Sequence, residues 1–342
     1  MLALMAGKPV AHLRSRLSGE AFHKLSAICT LAALVIIFSF GNAAFFSVGN
    51  GMTLLLETSQ LGLLSIGMTM VIITGGIDLS VGSVLALSGT VAGLAVKAGV
   101  PVLPGMLAGV AVGALCGVCN GFVITKMRIT PFVATLGMML IARGLALQLT
   151  GAAPVSGLSS AFGVLGNGAL FRVLGRGANG LPRLIFPGIP YPALLLLAVA
   201  LLGAYVLRRR SLGRHIFAVG SSEEAARLSG VQVDRTKIIT YAISGALAGV
   251  AGIVLMSRLV TAQPNEGVAA ELDAIAAAVI GGASLMGGVG GISGTMIGAF
   301  IIGILRNGLN MAGISSFIQQ IIIGFVVIMA VYIDQLRSRN AG

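Results

Sequence analysis

Ten apolar runs dominate this chain, at about residues 26–46, 52–74, 79–98, 101–125, 131–150, 191–207, 238–257, 272–288, 290–310 and 316–333. Crossing a bilayer as a helix takes roughly 20 apolar residues. Only helices and closed barrels satisfy every backbone polar group in hydrocarbon. Ten such runs in 342 residues therefore predict an all-α fold, a polytopic membrane helix bundle of about ten transmembrane helices, with Gly-rich interruptions near 52–98 and 272–310 that make broken or re-entrant helices there. Composition excludes the alternatives. Only 9% of residues are charged and 56% are hydrophobic, with a mean hydropathy of +1.02. A soluble domain carries about 25% charge, and disorder needs low hydrophobicity with high charge.

Lys and Arg set the orientation, because they concentrate in cytoplasmic loops. With the N-terminus inside and ten alternating spans, fifteen of the 22 basic residues face inward: Lys8, Arg14, Arg16, Lys24, Lys126, Arg128, Arg208, Arg209, Arg210, Arg214, Arg227, Arg235, Lys237, Arg337 and Arg339. Five fall outside: Lys97, Arg172, Arg176, Arg183 and Arg258. The expected organisation is a cytoplasmic segment over 1–25, one transmembrane domain over 26–336 and a cytoplasmic tail over 337–342, with both termini cytoplasmic. Within the domain, 151–190 is a long Gly- and Pro-containing extracytoplasmic loop and 208–237 a cytoplasmic segment.

The net charge of +12 is thus a topology signal; the basic residues form no patch with interleaved aromatics, so no nucleic-acid partner is expected. Cys116 and Cys119 make a C-x-x-C inside an apolar run, where helix packing is the reading and no metal site is expected. No Gly-x4-Gly-Lys-Ser/Thr occurs, so the chain carries no P-loop for ATP. No histidine lies in a span and no acid–base pair suggests catalysis, so it is not expected to be an enzyme.

Segment 208–237 holds ten of the 32 charged residues. Ser221 followed by Glu224 reads as a capping box, Glu223 and Glu224 favour a helix N-terminus, and Gly230 suits the position just past a helix end. A helix of about two turns is expected between Ser221 and Gly230. It is too short to be stable alone, so it is either a surface connector or a docking helix for a soluble partner.

Three glycine patterns mark the spans. Gly105, Gly109, Gly113, Gly117 and Gly121 recur every fourth residue, the small-x-x-x-small signature of close helix packing. Thr74-Gly75-Gly76-Ile77-Asp78-Leu79-Ser80 joins two runs with almost no linker. The glycines permit a sharp break, and Asp78 either caps the next helix or serves as a gate or substrate contact. Residues 271–294 repeat the theme, with Val279-Ile280-Gly281-Gly282 resembling Val71-Ile72 before Gly75-Gly76, and Ser-Gly-Thr at both 88–90 and 293–295. This hints at an internal duplication of the kind transporters carry. Asn120, Arg143, Gln148, Asn307 and Asn310 are polar residues in or near spans that either line a path or bond between helices.

Over about residues 50–335 the chain resembles the permease subunit of ribose-type ABC sugar importers, the branched family that also serves xylose, arabinose, galactose and autoinducer-2. The resemblance rests on Gly67-Met68-Thr69, the stretch Thr74 to Ser83, Thr130 to Gly137, Leu212-Gly213-Arg214, Ala225-Ala226-Arg227-Leu228-Ser229-Gly230, Ala262-Gln263-Pro264, Glu271 to Ala277 and Asn307-Gly308-Leu309-Asn310. Ser221-Ser222-Glu223 departs from the Gly-Asn-like sequence expected there. The resemblance implies a type II-like ABC importer permease in the bacterial inner membrane, paired with a second permease copy. It also implies a cytoplasmic ABC ATPase subunit that carries ATP–Mg, so that this chain binds no cofactor itself, and an extracytoplasmic sugar-binding protein. It makes Gly213, Arg214, Ser221, Glu223, Glu224, Ala225, Ala226, Arg227, Leu228 and Gly230 the expected coupling residues. Thr74, Gly75, Gly76, Asp78, Ser80, Asn120, Arg143, Gln263, Glu271, Asp273, Asn307 and Asn310 are the expected gate or pathway candidates. The competing reading is a secondary transporter or channel driven by an ion gradient, with Glu57 or Asp78 as the coupling carboxylate.

Overall fold

A computed structural model describes residues 26–176 and 182–340; the expected cytoplasmic segment 1–25 and the last two residues of the tail lie outside the described residues. The chain is mostly helical. The long elements are α1 (Ser26–Gly41), α2 (Val48–Ile73), α3 (Val81–Lys97), α4 (Val102–Lys126) and α5 (Pro131–Thr150). Beyond the 151–190 loop follow α7 (Tyr191–Arg209), α10 (Val233–Leu259), α12 (Ile292–Met311) and α13 (Ser316–Asn340). Shorter helices intervene: α6 (Val164–Asn167), α8 (Ser211–Ser221), α9 (Glu223–Leu228) and α11 (Ala270–Ile280).

Six of these helices are long and apolar enough to cross a membrane (α2, α4, α5, α7, α10 and α12), while α1, α3 and the apolar part of α13 are shorter apolar helices. The apolar run at 272–288, read from its glycines as interrupted, is not one continuous helix. Its helix, α11, has 11 residues, about 16 Å of rise, half of what hydrocarbon requires. The chain still runs from one end of the bundle to the other here. Ala262 pairs with Val155 at the end that carries the long loop, and the Gly288 N–H donates to the Ile73 carbonyl at the opposite end. Hydropathy cannot distinguish a helix from a glycine-broken crossing of equal apolarity; the Gly281-Gly282 and Gly287-Gly288 pairs are the signal of an interruption.

The long loop is not featureless. It holds two antiparallel ribbons, β1 (Ala169–Leu170) with β4 (Ile189–Pro190) and β2 (Val173–Arg176) with β3 (Pro182–Phe186). They are a departure from an all-α chain. Ser257 near the end of α10 fastens the loop, donating to the Phe162 carbonyl at 2.6 Å and accepting from the Gly166 N–H at 2.7 Å.

The glycine stripe of α4 builds the centre. A Cβ on Gly109 would stand 2.5 Å from the Ser88 carbonyl oxygen of α3, and one on Gly121 would stand 2.6 Å from the Ile238 Cα of α10. On Gly113 and Gly117 a Cβ would overlap the Gly245 and Tyr241 carbonyls of α10. α10 answers with Gly245 and Gly249, which meet Gly113 and Val110 of α4. Small residues thus bring two backbones into contact, the arrangement that drives helix association in lipid, where no hydrophobic effect operates between helices. The stripe is a packing device, as its spacing predicted.

Candidate functional site

Two places gather the sequence-predicted residues: the breaks between helices, and the charged segment at one end of the bundle.

At the first break, α2 ends in a Schellman motif. The Gly75 N–H donates to the Ile72 carbonyl and the Gly76 N–H to the Val71 carbonyl, with Gly75 at φ +79°, a conformation open to glycine at little cost. Gly76 is needed for space instead, because a Cβ there would overlap the Tyr241 hydroxyl. The Thr74 hydroxyl bonds back to the Val71 carbonyl at 2.7 Å.

Of the two roles open to Asp78, capping α3 is corrected. The N-cap is Ser80, and Asp78 lies two residues upstream with 1% exposure. Its Oδ1 accepts from the Ser80 N–H at 3.1 Å and the Ser80 hydroxyl at 2.6 Å, and its Oδ2 accepts from the Ser244 hydroxyl of α10 at 2.9 Å. Asn120 of α4 donates to Ser80 Oγ at 2.9 Å. A buried carboxylate is costly unless hydrogen-bonded. Here the three donors tie the start of α3 to α10, and Asn120 joins α4 to the group through Ser80, so Asp78 is a pin at the helix reversal. Asn120 and Ser80 belong to this pin. Sequence reasoning missed Ser244; its place on the Gly245–Gly249 face of α10 was the signal.

The second break uses the same cap. The Gly282 N–H donates to the Val279 carbonyl and the Ala283 N–H to the Ala278 carbonyl, with Gly282 at φ +90°. From Gly75 to the next N-cap, Ser80, is five positions; from Gly282 to Gly291 is nine. The two breaks are alike in their caps and differ by four residues in their loops, which is why the sequence similarity loses register. Ser88-Gly89-Thr90 and Ser293-Gly294-Thr295 are not equivalent: the first lies in the middle of α3 and the second in the opening turn of α12. Thr69 and Thr295 meet across the core, hydroxyl to hydroxyl, at 2.6 Å.

The remaining candidates separate. Arg143 of α5 donates to the Pro264 and Glu266 carbonyls, the second at 2.8 Å, and so clamps the stretch that contains Gln263 and leads to α11. Glu271 lies half-buried in the first turn of α11, with its carboxylate where a Cβ on Gly82 would stand. Asp273 pairs with Arg306 of α12 at 2.6 Å. Asn307 exchanges hydrogen bonds with Asn50 of α2, at 3.0 and 3.1 Å. Asn310 and Gln148 are exposed. The structure does not bring all twelve candidates into one cavity. Glu57, named for the gradient-driven reading, pairs with Arg258 at 3.2 Å.

The amide exchange gives a measurable prediction. A double-mutant cycle of Asn50→Ala and Asn307→Ala, followed by unfolding in detergent, should return a coupling of about 0.6 kcal/mol, within the range to about 1.7 found between membrane helices. Additive effects would show that the pair is not formed.

In the charged segment, α7 turns sharply into α8 at Gly213, where a Cβ would overlap the Leu207 carbonyl. α8 buries Gly213, Ile216 and Val219 on one face and leaves Arg214 exposed. The predicted short helix exists as α9, but its cap is corrected from Ser221 to Ser222. Ser221 is the last residue of α8, and the Ser222 hydroxyl accepts the Ala225 N–H at 3.2 Å. Two adjacent serines precede the acidic pair, and the extended backbone at Ser222 decides between them. Past the helix, Gly230 at φ +82° donates to the Arg227 carbonyl and Val231 to the Ala226 carbonyl, a complete Schellman motif. Glu223 pairs with Arg227 of the same helix at 3.3 Å and with Lys237 of α10 at 2.6 Å. Ala226 is buried with Val219 and Val233, whereas Leu228 is 84% exposed. Glu224 and Ala225 share the exposed side with Leu228. Among the described residues no cluster of three or more His, Cys, Asp or Glu could hold a metal, and Cys116 and Cys119 are free thiols.

Comparison with known proteins places this architecture. The sequence model of the family described as "Branched-chain amino acid transport system / permease component" matches residues 50–331. The chain is 43% identical to the ribose import permease protein RbsC of Escherichia coli strain K12, over 91% of this chain and 94% of that one. It is 44% identical to the ribose import permease protein RbsC of Bacillus subtilis strain 168, over 92% and 94%. It is 36% identical to the xylose transport system permease protein XylH of Haemophilus influenzae, over 92% and 98%. No solved structure matches. With a matched region covering most of its length and relatives matched nearly end to end, the chain is a multi-pass membrane protein that belongs to the branched-chain transport permease family.

Proposed function

We propose that this chain is the transmembrane permease subunit of an ATP-binding cassette importer for a monosaccharide, a ribose-like pentose or a related sugar. The observation that carries the proposal is the near-complete alignment with ribose import permeases of two distant bacteria. The segment around α9 supports it physically. A six-residue helix, capped at both ends and anchored through one buried alanine, presents Leu228 to solvent at the bundle end richest in Arg and Lys. Such a helix suits docking to a soluble subunit, and without a P-loop in the sequence that subunit must supply ATP–Mg. The basic end is the cytoplasmic one by the positive-inside rule, and the loop that carries β1–β4 then faces the extracytoplasmic sugar-binding protein. Two permeases form the path, and the exposed apolar faces of α5 and α13, with Leu140 and Phe325 among them, face lipid or the second copy. Closure of the ATPase pair on ATP moves α9, and alternating access passes the sugar between the permeases.

The test is uptake of radiolabelled ribose into proteoliposomes that hold this chain with its cassette ATPase, with a loaded binding protein added. Uptake should require ATP and the binding protein and should survive collapse of ion gradients by ionophores. Uptake that persists without the ATPase and stops with the ionophore would establish the gradient-driven reading instead. Against that reading, Glu57 is engaged with Arg258 and Asp78 has three donors.

A further inference from the structure

The end of α8 touches both helix breaks at once. A Cβ on Gly220 would overlap the Ile73 carbonyl at the end of α2 and stand 2.6 Å from the Gly288 nitrogen in the second break. The contact is mutual. A Cβ on Gly287 would lie 2.7 Å from the Gly220 carbonyl oxygen and 3.1 Å from the Gly75 Cα and nitrogen, and one on Gly288 would lie 2.7 Å from the Ser221 hydroxyl. One hydrogen bond closes the group: the Gly288 N–H donates to the Ile73 carbonyl at 2.9 Å. Gly287 and Gly288 stand at φ +86° and +71°, so a side chain there is strained as well as crowded. Three segments far apart in sequence, 73–75, 220–221 and 287–288, thus meet backbone to backbone.

Resting on the proposed importer reading, we infer that this glycine junction is the point at which movement of α8 and α9 reaches both broken segments, and that Gly220 is a positioning residue for transport. Side-chain contacts can slip between rotamers; main chain against main chain cannot, because no torsion lies between the touching atoms. α8 and α9 share the buried Val219–Ala226–Val233 cluster, so a force on α9 is delivered to α8 within one turn of Gly220. The junction then acts on the Gly75 break, next to the Asp78 pin, and on the longer Gly282–Gly291 break. A single displacement shifts the end of α2 and the entry to α12 together.

Gly220→Ala in the reconstituted complex should lower ATP-driven ribose uptake about tenfold, within the range that coupling mutations reach, while ATP hydrolysis stays within twofold of the unmodified complex. Gly324→Ala, at a helical glycine with open space around it, should leave both unchanged. Hydrogen–deuterium exchange on the unmodified complex gives a second reading that needs no variant. Addition of a non-hydrolysable ATP analogue should alter exchange at 216–222 and, in the same complex, at 73–77 and 284–290, the Gly288 amide included. Uptake in Gly220→Ala that matches the unmodified protein, or exchange that changes at 216–222 and at neither break, would overturn the inference alone. Uptake by the unmodified chain that is independent of the ATPase would overturn the importer reading and this inference with it.

Discussion

Gly117→Leu should leave little folded protein in the membrane. The Tyr241 carbonyl of α10 occupies the space that the new Cβ would need, and neither backbone can yield alone. Gly113 and Gly121 hold the same two helices together one turn away on either side. Opening the α4–α10 contact would also pull Asn120 from Ser80 and separate Ser244 from Asp78, which would leave the buried carboxylate short of donors. Overpacking alone costs about 1–3 kcal/mol, and loss of donors to a buried charged group adds to it. Thermal unfolding in detergent, with Gly324→Ala as the control, measures the difference. A melting temperature for Gly117→Leu equal to that of the control would mean that the two helices do not meet as described.

Leu228→Asp should do the opposite, and leave the fold intact while abolishing uptake. The side chain is 84% exposed and lies outside the buried cluster that anchors α9, so membrane abundance and melting temperature should not change. An apolar anchor replaced by a charge at a docking surface loses its burial and adds a desolvation cost, and each 1.4 kcal/mol lost weakens association about tenfold. Uptake and co-purification of the ATPase should both fall by at least that factor. Ala226→Asp makes the contrast. It drives a carboxylate into the Val219–Val233 cluster and should destabilise the segment itself, which limited proteolysis would detect. Normal uptake by Leu228→Asp would remove α9 from the coupling role.

How legible these features were depended on how far the partners lie apart in sequence. The Gly105–Gly121 stripe announced its packing role because every contact is set by one helix's own period. Gly230 was readable for the same reason: the Schellman cap closes within five residues. The capping-box reading falls one residue early, at Ser221 instead of Ser222, since both serines precede the acidic pair and the choice lies in one backbone torsion. Asp78 was recognisable as a polar residue at a break, but its partner Ser244 is 166 positions away, so its burial was not. Of the pathway candidates, Asn307 proved to be bonded to Asn50 across 257 positions. The junction at Gly220 was out of reach. Its three segments carry glycines that each look like an ordinary turn, and only the fold brings them together. The ribbons of the long loop were hidden by a composition that favours no structure.

The same bundle should behave unevenly when lipid is exchanged for detergent. Its centre is held by carbonyls of α3, α4 and α10 that fill the places where glycines of α4 and α10 carry no side chain, close packing that asks nothing of the surrounding solvent. Its periphery is different. Phe40 of α1, and Phe317 and Phe325 of α13, turn apolar surface outward, uncovered by the other described residues. Solubilisation therefore strips the outer helices of their support and leaves the glycine-packed frame untouched, so a detergent that preserves the centre is no guarantee that the outer helices remain docked.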